Sequence, residues 1–256
     1  MSTTPQETGD HPAEAALVIG MGGIGSALAQ RWKRSGRFAC VWGVSRQARH
    51  DDHDRDVVGS APFHHLTTDH TPENIRALVE EVASAEHPLS YVAITLGTLH
   101  GSHYGPEKSL SALDPQSMLE VHRVNMILPM LWLSVLTPIL RKSPNCRVAV
   151  LSARVGSIGD NQLGGWYSYR SSKAALNMAL RCAAIELSRR AKGVKLIAYH
   201  PGTVDTGLSQ PFQKSVPEGK LFSAEYAAER LDTVMQSVAV DGSLSYLDWA
   251  GNTIDW

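Results

Sequence analysis

Cysteine is scarce in this sequence, and its acidic and basic residues nearly balance. The three cysteines, Cys40, Cys146 and Cys182, are far apart and lack the spacing of metal ligands, which is typical of free thiols in a reducing compartment. A formal net charge of −1 without a basic stripe argues against nucleic acid as a partner. The longest strongly apolar stretch, 126–140, contains two prolines and is too short to span a bilayer. We therefore expect a cytoplasmic protein that binds neither nucleic acid nor membrane.

The first 13 residues are polar and acidic, unlike a secretory signal or a transit peptide, and are predicted to form a disordered tail. From residue 14 onwards apolar strands alternate with helical segments, and no repeat or linker divides the chain. Strands are predicted at 15–20, 38–46, 61–69, 89–97, 146–156 and 194–202. One long helix or two is predicted over 115–143. This alternation of uniformly apolar strands with helices is typical of a parallel sheet covered on both faces. We predict an α/β fold, a doubly wound parallel sheet of Rossmann type, in a single domain over 14–256.

The segment VIGMGGIGSALA fits the pattern G-x-G-x-x-G directly after the first strand and at the start of a helix. Glycines there let the backbone turn sharply, and a pyrophosphate can lie against the free N–H groups of the helix N-terminus. The alternative is a plain tight turn. The predicted cofactor-binding residues of this turn are Gly20, Gly22, Gly23, Ile24 and Gly25.

The end of the second strand bears on the choice of dinucleotide. NAD-binding sheets usually place an acidic residue there for the ribose 2′-hydroxyl, whereas this sequence has Ser45 followed by Arg46. An arginine suits a 2′-phosphate through charge-assisted hydrogen bonds. The alternative is that Arg46 is an ordinary surface charge after a strand. We predict that NADP(H) is preferred over NAD(H).

The segment YSYRSSKAAL places a tyrosine and a lysine one helical turn apart. Tyr169 and Lys173 are at i and i+4, on one face of a helix, whereas Tyr167 points elsewhere. Such a pair is common on helices, so the rest of the sequence has to decide whether it has a chemical role.

Several segments together resemble the short-chain dehydrogenase/reductase family. They are the glycine turn, TTDH after the third strand, VNMILPM in the long helix, YRSSK and HPGTVDTGL, in the family's order over residues 15–210. Within that family, SYRSSKAALNMAL with HPGTVDTGL and the segment SYLDWAGNTIDW look like the sniffer-type carbonyl reductases and C-factor-like proteins.

The resemblance implies an oxidoreductase that transfers hydride between a nicotinamide and a small carbonyl or alcohol substrate. It makes Tyr169 the acid/base and Lys173 its partner, which also binds ribose, and Asn125 a support of the proton relay. It further implies that several residues contact the cofactor. They are Asp69 and His70 beside the adenine, Gly97 after the fourth strand, and Pro201, Gly202, Val204 and Thr206 in the segment that wraps the nicotinamide. It also implies a homodimer or homotetramer through the helices predicted at 114–142 and 169–190.

The expected chemistry is electrostatic. A free phenol has a pKa near 10, and a lysine charge at ~5 Å would stabilise the phenolate by roughly 3 kcal/mol, about two pKa units. We therefore expect Lys173 to lower the pKa of Tyr169.

The sequence departs from the family pattern at two strand ends. Thr95 and Leu96 replace an amide and an alanine after the fourth strand, and the Thr95 hydroxyl could still tie neighbouring strands. Ser152 and Ala153 stand where relatives have two serines, the second of which bonds the substrate carbonyl. Loss of such a donor typically costs about 10²–10³ in rate. Three outcomes remain open: a slow enzyme, replacement by Ser157 or Ser152, or a cofactor-binding regulatory protein with little turnover.

Three further segments have weaker signals. The stretch HHLTTDH is rich in histidine, but His64 and His65 face opposite ways on a strand, so we predict no metal site. Phe212 and Leu221 lie in 209–223, where relatives have a mobile substrate lid, although a surface loop is the alternative. Trp166 is expected to shape the pocket rather than to react.

Overall fold

Seven parallel strands form one sheet with helices on both faces. The computed structural model describes residues 14–47 and 60–256, so the predicted tail at 1–13 and the whole of the charged segment 50–56 lie outside the described residues. The strands of this sheet are β1 (Ala15–Ile19), β2 (Cys40–Ser45), β3 (Phe63–Thr67), β4 (Leu89–Ile94), β5 (Cys146–Leu151), β6 (Val194–His200) and β9 (Leu244–Asp248). The two-residue strands β7 (Thr203–Val204) and β8 (Leu221–Phe222) pair with each other. The predicted doubly wound parallel sheet is confirmed.

The helices alternate with the strands as the sequence pattern indicates. They are α1 (Gly23–Arg34), α2 (Pro72–Ser84), α3 (Pro115–His122), α4 (Leu128–Leu140), α5 (Tyr167–Arg190) and α6 (Ala224–Ser237). Thr71 starts α2 because its hydroxyl accepts the Asn74 N–H and Pro72 needs no hydrogen-bond acceptor at the first position. Short 3₁₀ turns lie at Leu110–Ala112, Arg154–Gly156 and Gln210–Ser215.

The strand order is β3-β2-β1-β4-β5-β6-β9. The chain builds outwards in one direction from β1 to β3, then returns and builds in the other direction from β4. Ligands of such sheets bind where the direction reverses, beyond the carboxyl ends of the two central strands. Here that position lies between β1 and β4, where the glycine turn and Gly97 follow the strands.

Each face of the sheet has its own apolar core. One core contains the buried residues of α2, α4 and α5, and the other contains those of α1 and α6. Because both faces are covered, alternate residues of β1 point into different cores, and every residue of this strand is buried.

The apolar segment around residue 126 belongs to one helical run that has an irregular centre. A π-helical turn at Arg123–Ile127 joins α3 to α4. Among the described residues, the helical run Pro115–Leu140 has the length and apolar composition that a membrane span needs. Helices buried in a protein core share these two properties. Trp132, Leu136 and Leu140 are buried in the core beside the sheet, which accounts for much of this apolar character. The cytoplasmic location remains a prediction.

The structure corrects the bounds of two elements and adds one strand. The fifth strand ends at Leu151, five residues earlier than predicted, because the chain turns into the 3₁₀ helix after Ala153. The predicted helix 169–190 begins two residues earlier, at Tyr167. A seventh parallel strand, β9, was not predicted and extends the sheet beyond β6.

The predicted homodimer or homotetramer stays a prediction. The two helical segments expected to form its contact do expose large apolar side chains. These are Leu119 and Ile127 in the α3–α4 run and Met178 and Ile185 in α5.

Candidate functional site

The glycine turn is a sharp bend between β1 and α1. Gly20 has a positive φ of 102°, and its N–H donates to the Val44 carbonyl at 2.8 Å, which ties the turn to β2. A Cβ at Gly25 would collide with the Gly20 carbonyl oxygen, whereas a Cβ at Gly22 would meet open space. The turn is thus closed on the inner side and open above the N-terminus of α1, and Gly23 and Ile24 lie in the first turn of that helix. This geometry suits an anionic group such as a pyrophosphate.

Thr95, one of the departures from the family pattern, supports this turn. Its hydroxyl donates to the Gly20 carbonyl, and its N–H donates to the Ile19 carbonyl at 2.8 Å. The threonine therefore ties the ends of β1 and β4 together, as the sequence suggested.

The end of β2 presents basic rather than acidic chemistry. The Ser45 hydroxyl donates to the Gln47 carbonyl at 2.6 Å, so His65 Nε2, at 2.9 Å, donates to the serine oxygen. Arg46 follows on the exposed side, and its positive charge contributes to a lowered pKa of His70. Ser45 and Arg46 thus lie at the edge where a dinucleotide ribose would be expected.

Asp69 and His70 separate after β3. Asp69 is exposed, and its carboxylate accepts hydrogen bonds from the Thr71 N–H and the Asn74 side chain, which lower its pKa. His70 has a φ of 63° and turns inwards, where its Nδ1 accepts the Trp132 indole N–H at 3.0 Å. Burial lowers the pKa of His70, and the charges of Arg46 and Arg123 add to this. Asp69 remains accessible to a ligand, whereas the His70 ring is committed to the core.

Lys173 lies beside Tyr169 near the centre of the site. Its Nζ is 5.9 Å from the centroid of the Tyr169 ring and donates to the Leu151 carbonyl at 2.7 Å. Lys173 is 2% exposed, whereas Tyr169 is half-buried. A Cβ at Gly97 would be 3.7 Å from this Nζ. The pair predicted from YSYRSSKAAL thus faces the end of β4.

The ionisation of this pair differs from the expectation. Burial raises the pKa of Tyr169 to about 12, and nearby Tyr246 adds to the rise. Burial also lowers the pKa of Lys173 to about 7. The expectation that Lys173 lowers the phenol pKa is therefore wrong for this structure. The reason is that the lysine itself loses hydration and is only partly charged at neutral pH.

Asn125 connects the π-helical turn to the same site. Its Oδ1 accepts the Thr98 N–H at 2.7 Å, and its Nδ2 donates to the Thr98 carbonyl at 2.9 Å and to the Ser172 hydroxyl at 3.0 Å. The side chain is fully buried. Asn125 thus joins the chain after β4 to α5 one residue before Lys173.

The segment from Pro201 to Thr206 returns to the glycine turn after β6. Gly202 has a φ of 78°, and a Cβ there would collide with the Phe222 ring. Val204 is buried in β7, and the Thr206 methyl lies where a Cβ on Gly23 would be. The segment therefore packs against the first turn of α1, beside the open position at Gly22, and the resemblance expects it to wrap the nicotinamide.

Comparison with known proteins identifies the family. A family model described as short chain dehydrogenase matches residues 14–217. The chain belongs to this family. C-signal of Myxococcus xanthus is 31% identical over 148 residues, which cover 58% of this chain and 84% of that protein.

Two solved structures share the fold of this short-chain dehydrogenase. The carbonyl reductase Sniffer of D. melanogaster has a TM-score of 0.80 at 18% identity, covering 95% of this chain and 100% of that one. The NADPH-bound carbonyl reductase from chicken fatty liver has a TM-score of 0.77 at 21% identity, covering 96% and 100%. At these identities the likeness extends to the fold alone.

The serine position of the family is the unusual part of this site. Ala153 is buried and extended, directly after β5. The Ser152 hydroxyl donates to Asn177 Oδ1 at 2.6 Å, and the Ser157 hydroxyl accepts the Asp160 N–H at 3.1 Å. Ser152 thus uses its hydroxyl proton on Asn177, whereas Ser157 only accepts in its bond and keeps a proton to donate, although its side chain is buried.

Two supporting residues of the site were missed in the sequence. The Tyr246 hydroxyl, from β9, donates to the Ala153 carbonyl at 2.6 Å. Glu107 is buried, and its carboxylate accepts the Ser168 N–H at 3.1 Å and the Ser168 hydroxyl near the start of α5. Both lie far from their partners in sequence, and no local pattern marks them.

The two histidines of the histidine-rich strand have separate partners. His64 stacks on Trp42 at 4.4 Å between ring centroids, whereas His65 bonds Ser45, so the two histidines do face different neighbours. Within residues 14–47 and 60–256, no group of three His, Cys, Asp or Glu side chains could hold a metal ion.

Proposed function

We propose that this short-chain dehydrogenase is an NADP(H)-dependent oxidoreductase acting on small carbonyl or alcohol substrates. The observation that carries the proposal is the convergence of Tyr169, Lys173 and Asn125 beside Gly97, next to the glycine turn. A bound dinucleotide would supply hydride chemistry, and the chain would position the substrate and move the proton.

In the reductive direction, the Tyr169 hydroxyl would give its proton to the carbonyl oxygen of the substrate. At neutral pH the Tyr169 phenol is protonated, as proton donation to a carbonyl requires, but burial raises its pKa and makes it a weaker acid than a free phenol, so the proton transfer needs stabilisation of the phenolate that forms. Lys173 stabilises the phenolate left behind to the extent that it is charged. Asn125 holds the loop after β4 in place and supports the relay that returns a proton to Tyr169.

The dinucleotide would lie along the carboxyl edge of the sheet. Gly22, open above α1, suits the pyrophosphate, and Arg46 suits a 2′-phosphate because no acidic residue occupies the end of β2. The remaining predicted contacts keep their proposed roles, except that the His70 ring is buried against Trp132 and is not expected to reach the ligand. They are Gly20, Gly23, Ile24, Gly25, Ser45, Asp69, Gly97, Tyr169, Lys173, Pro201, Gly202, Val204 and Thr206.

The first experiment is NADPH oxidation with a panel of aldehydes, ketones and quinones. Tyr169→Phe removes only the hydroxyl and is expected to abolish turnover while leaving NADPH binding within a few-fold. Tyr167→Phe is the matched control, because this ring stands two residues away and does not face Lys173, and it is expected to retain activity. Equal rates for wild type and Tyr169→Phe would eliminate the phenol as the acid.

A second candidate function is a cofactor-binding regulatory protein with little turnover. Ala153 favours it, because Ser152 donates its proton to Asn177 and Ser157 is buried. The similarity to C-signal is compatible with it. On this reading NADPH binds tightly, no compound of the panel is reduced, and Ala153→Ser raises the rate by about 10²–10³. Substantial turnover by the wild type would exclude it.

The cofactor preference is tested at Arg46. Arg46→Ala is expected to weaken NADPH binding by about 10- to 100-fold, since hydrogen bonds to charged groups contribute about 1.5–3 kcal/mol, and to leave NADH binding nearly unchanged. Arg76→Ala, an exposed arginine on α2, is the control. Equal losses for the two dinucleotides would remove Arg46 from the 2′-phosphate site.

A further inference from the structure

Aromatic side chains from separate segments form a continuous surface that begins at Tyr169. The Trp166 ring lies 6.2 Å from the Tyr169 ring at 76°, and the Phe212 ring lies 5.5 Å from the Trp166 ring at 57°. We call Tyr169, Trp166 and Phe212 the aromatic wall. All three are half-buried, so each contributes ring surface to its neighbours and leaves part of it accessible.

Trp166 is held in an unusual conformation. Its φ of 52° places a bulky residue in the left-handed region, which persists only where the surroundings determine it. Its N–H donates to the Glu107 carbonyl at 2.5 Å, and the Glu107 carboxylate bonds Ser168 two residues later. The backbone that carries the indole is therefore held by hydrogen bonds on both sides, and the indole itself packs against Tyr169 and Phe212.

Phe212 is held from the opposite side of the site. It lies in the 3₁₀ turn Gln210–Ser215, and the His100 ring packs against it at 5.8 Å. His100 Nε2 donates to the Gly207 carbonyl at 3.0 Å, which joins the loop after β4 to this segment. The wall is thus assembled before a substrate binds, and a preorganised surface loses less entropy on binding.

Resting on the proposed function, we propose that the substrates are carbonyl compounds whose carbonyl carbon carries an aromatic ring, such as aryl aldehydes and aryl ketones. Trp166 and Phe212 contact each other, so the substrate ring lies against the wall rather than between its members. The carbonyl then points to the Tyr169 hydroxyl. Contacts between aromatic rings are favourable beyond the apolar area they bury, so the wall discriminates a flat ring from a saturated ring of equal carbon number.

The test compares benzaldehyde with cyclohexanecarbaldehyde, which share a carbon skeleton and differ in aromaticity. We call the ratio of kcat/KM for benzaldehyde to kcat/KM for cyclohexanecarbaldehyde, both with NADPH, the aryl preference. Each variant's aryl preference is divided by that of the wild type, which cancels the intrinsic reactivity of the two aldehydes. Trp166→Leu and Phe212→Leu are each expected to lower the aryl preference by about 2- to 10-fold. Trp166→Phe and Phe212→Tyr keep a ring and are expected to preserve most of it.

The matched control is Tyr226→Leu, an aromatic residue on α6 that contacts Phe222 and Trp249 rather than the wall. Circular dichroism checks that each variant folds, and Phe212→Leu, in a surface turn, carries the test if Trp166→Leu does not. If both leucine variants keep the same aryl preference as the control, the role of the aromatic wall is refuted. The proposed function stays intact in that case, because both aldehydes are still reduced.

If the wild type reduces neither aldehyde, the wall is judged by binding, and the proposed function fails only if no compound of the panel of aldehydes, ketones and quinones is reduced. Saturation-transfer NMR with benzyl alcohol and cyclohexylmethanol, in the presence of NADP⁺, then gives the two affinities. Tighter binding of benzyl alcohol that is lost in the leucine variants supports the wall. Equal binding of the two alcohols by the wild type overturns it.

Discussion

Removal of the Lys173 ammonium is expected to change how the stability of the fold depends on pH. Lys173 is 2% exposed, and burial lowers its pKa from an ordinary 10.5 to about 7. The folded protein therefore loses this proton at a lower pH than the unfolded chain. Burial of the charged ammonium destabilises the fold. This destabilisation is present in full below pH 7 and decreases as the pH rises from about 7 towards 10.5.

The size of the effect follows from linkage. Where the unfolded chain binds one more proton than the folded chain, the free energy of unfolding rises by about 1.4 kcal/mol per pH unit. Between pH 7 and 9 this amounts to roughly 2 kcal/mol for the wild type, because Lys173 is only partly deprotonated at the start of this range. Lys173→Met lacks this rise. Loss of the hydrogen bond to the Leu151 carbonyl changes stability equally at every pH and does not affect the slope.

The assay is urea unfolding at half-unit steps from pH 6.5 to 9, without added dinucleotide. Lys142→Met, at an exposed position after α4, is the control and is expected to follow the wild type. Other groups that titrate in this range are shared by all three proteins and cancel in the differences. Parallel curves for wild type and Lys173→Met would refute the reasoning, because Lys173 would then keep its ordinary pKa in the fold.

Two further predictions concern buried carboxylates. Glu107→Ala is expected to lower the free energy of unfolding by roughly 1–3 kcal/mol, because Ser168 loses its acceptor at the start of α5. Glu107→Gln keeps an acceptor and is expected to lose less stability. Equal losses for the two variants in urea unfolding would contradict this. The Asp232 carboxylate on α6 accepts hydrogen bonds from one tryptophan and two partly exposed arginines. Asp232→Ala is therefore expected to lower the free energy of unfolding by roughly 2–3 kcal/mol. Thermal unfolding indistinguishable from that of the wild type would contradict this prediction.

The parts of this structure that the sequence predicted are those with local causes. Uniformly apolar strands predicted a sheet buried on both faces, because each strand residue is apolar whichever core it faces. The glycine turn was predictable because Gly25 has no room for a Cβ. Tyr169 and Lys173 were predictable as a pair because helix periodicity alone sets their separation.

The remaining features depend on contacts between distant segments. Glu107 bonds Ser168 across 61 positions, and nothing near Glu107 in the sequence indicates a helix N-terminus as its partner. The ionisation of Lys173 depends on how completely the folded chain excludes water from its Nζ. Periodicity gave the distance to Tyr169 but not this loss of hydration, and the pKa expectation failed for that reason.

The hydrogen bond from Tyr246 to the Ala153 carbonyl has a consequence for synthesis on the ribosome. The strand that carries Tyr246 is the last of the sheet to be translated, and domains fold as units as the chain emerges. A nascent chain that ends before β9 has no hydrogen bond to support the Ala153 carbonyl. Because the domain folds as a unit, the candidate site is completed only after this last strand has left the ribosome, however early its glycine turn was translated.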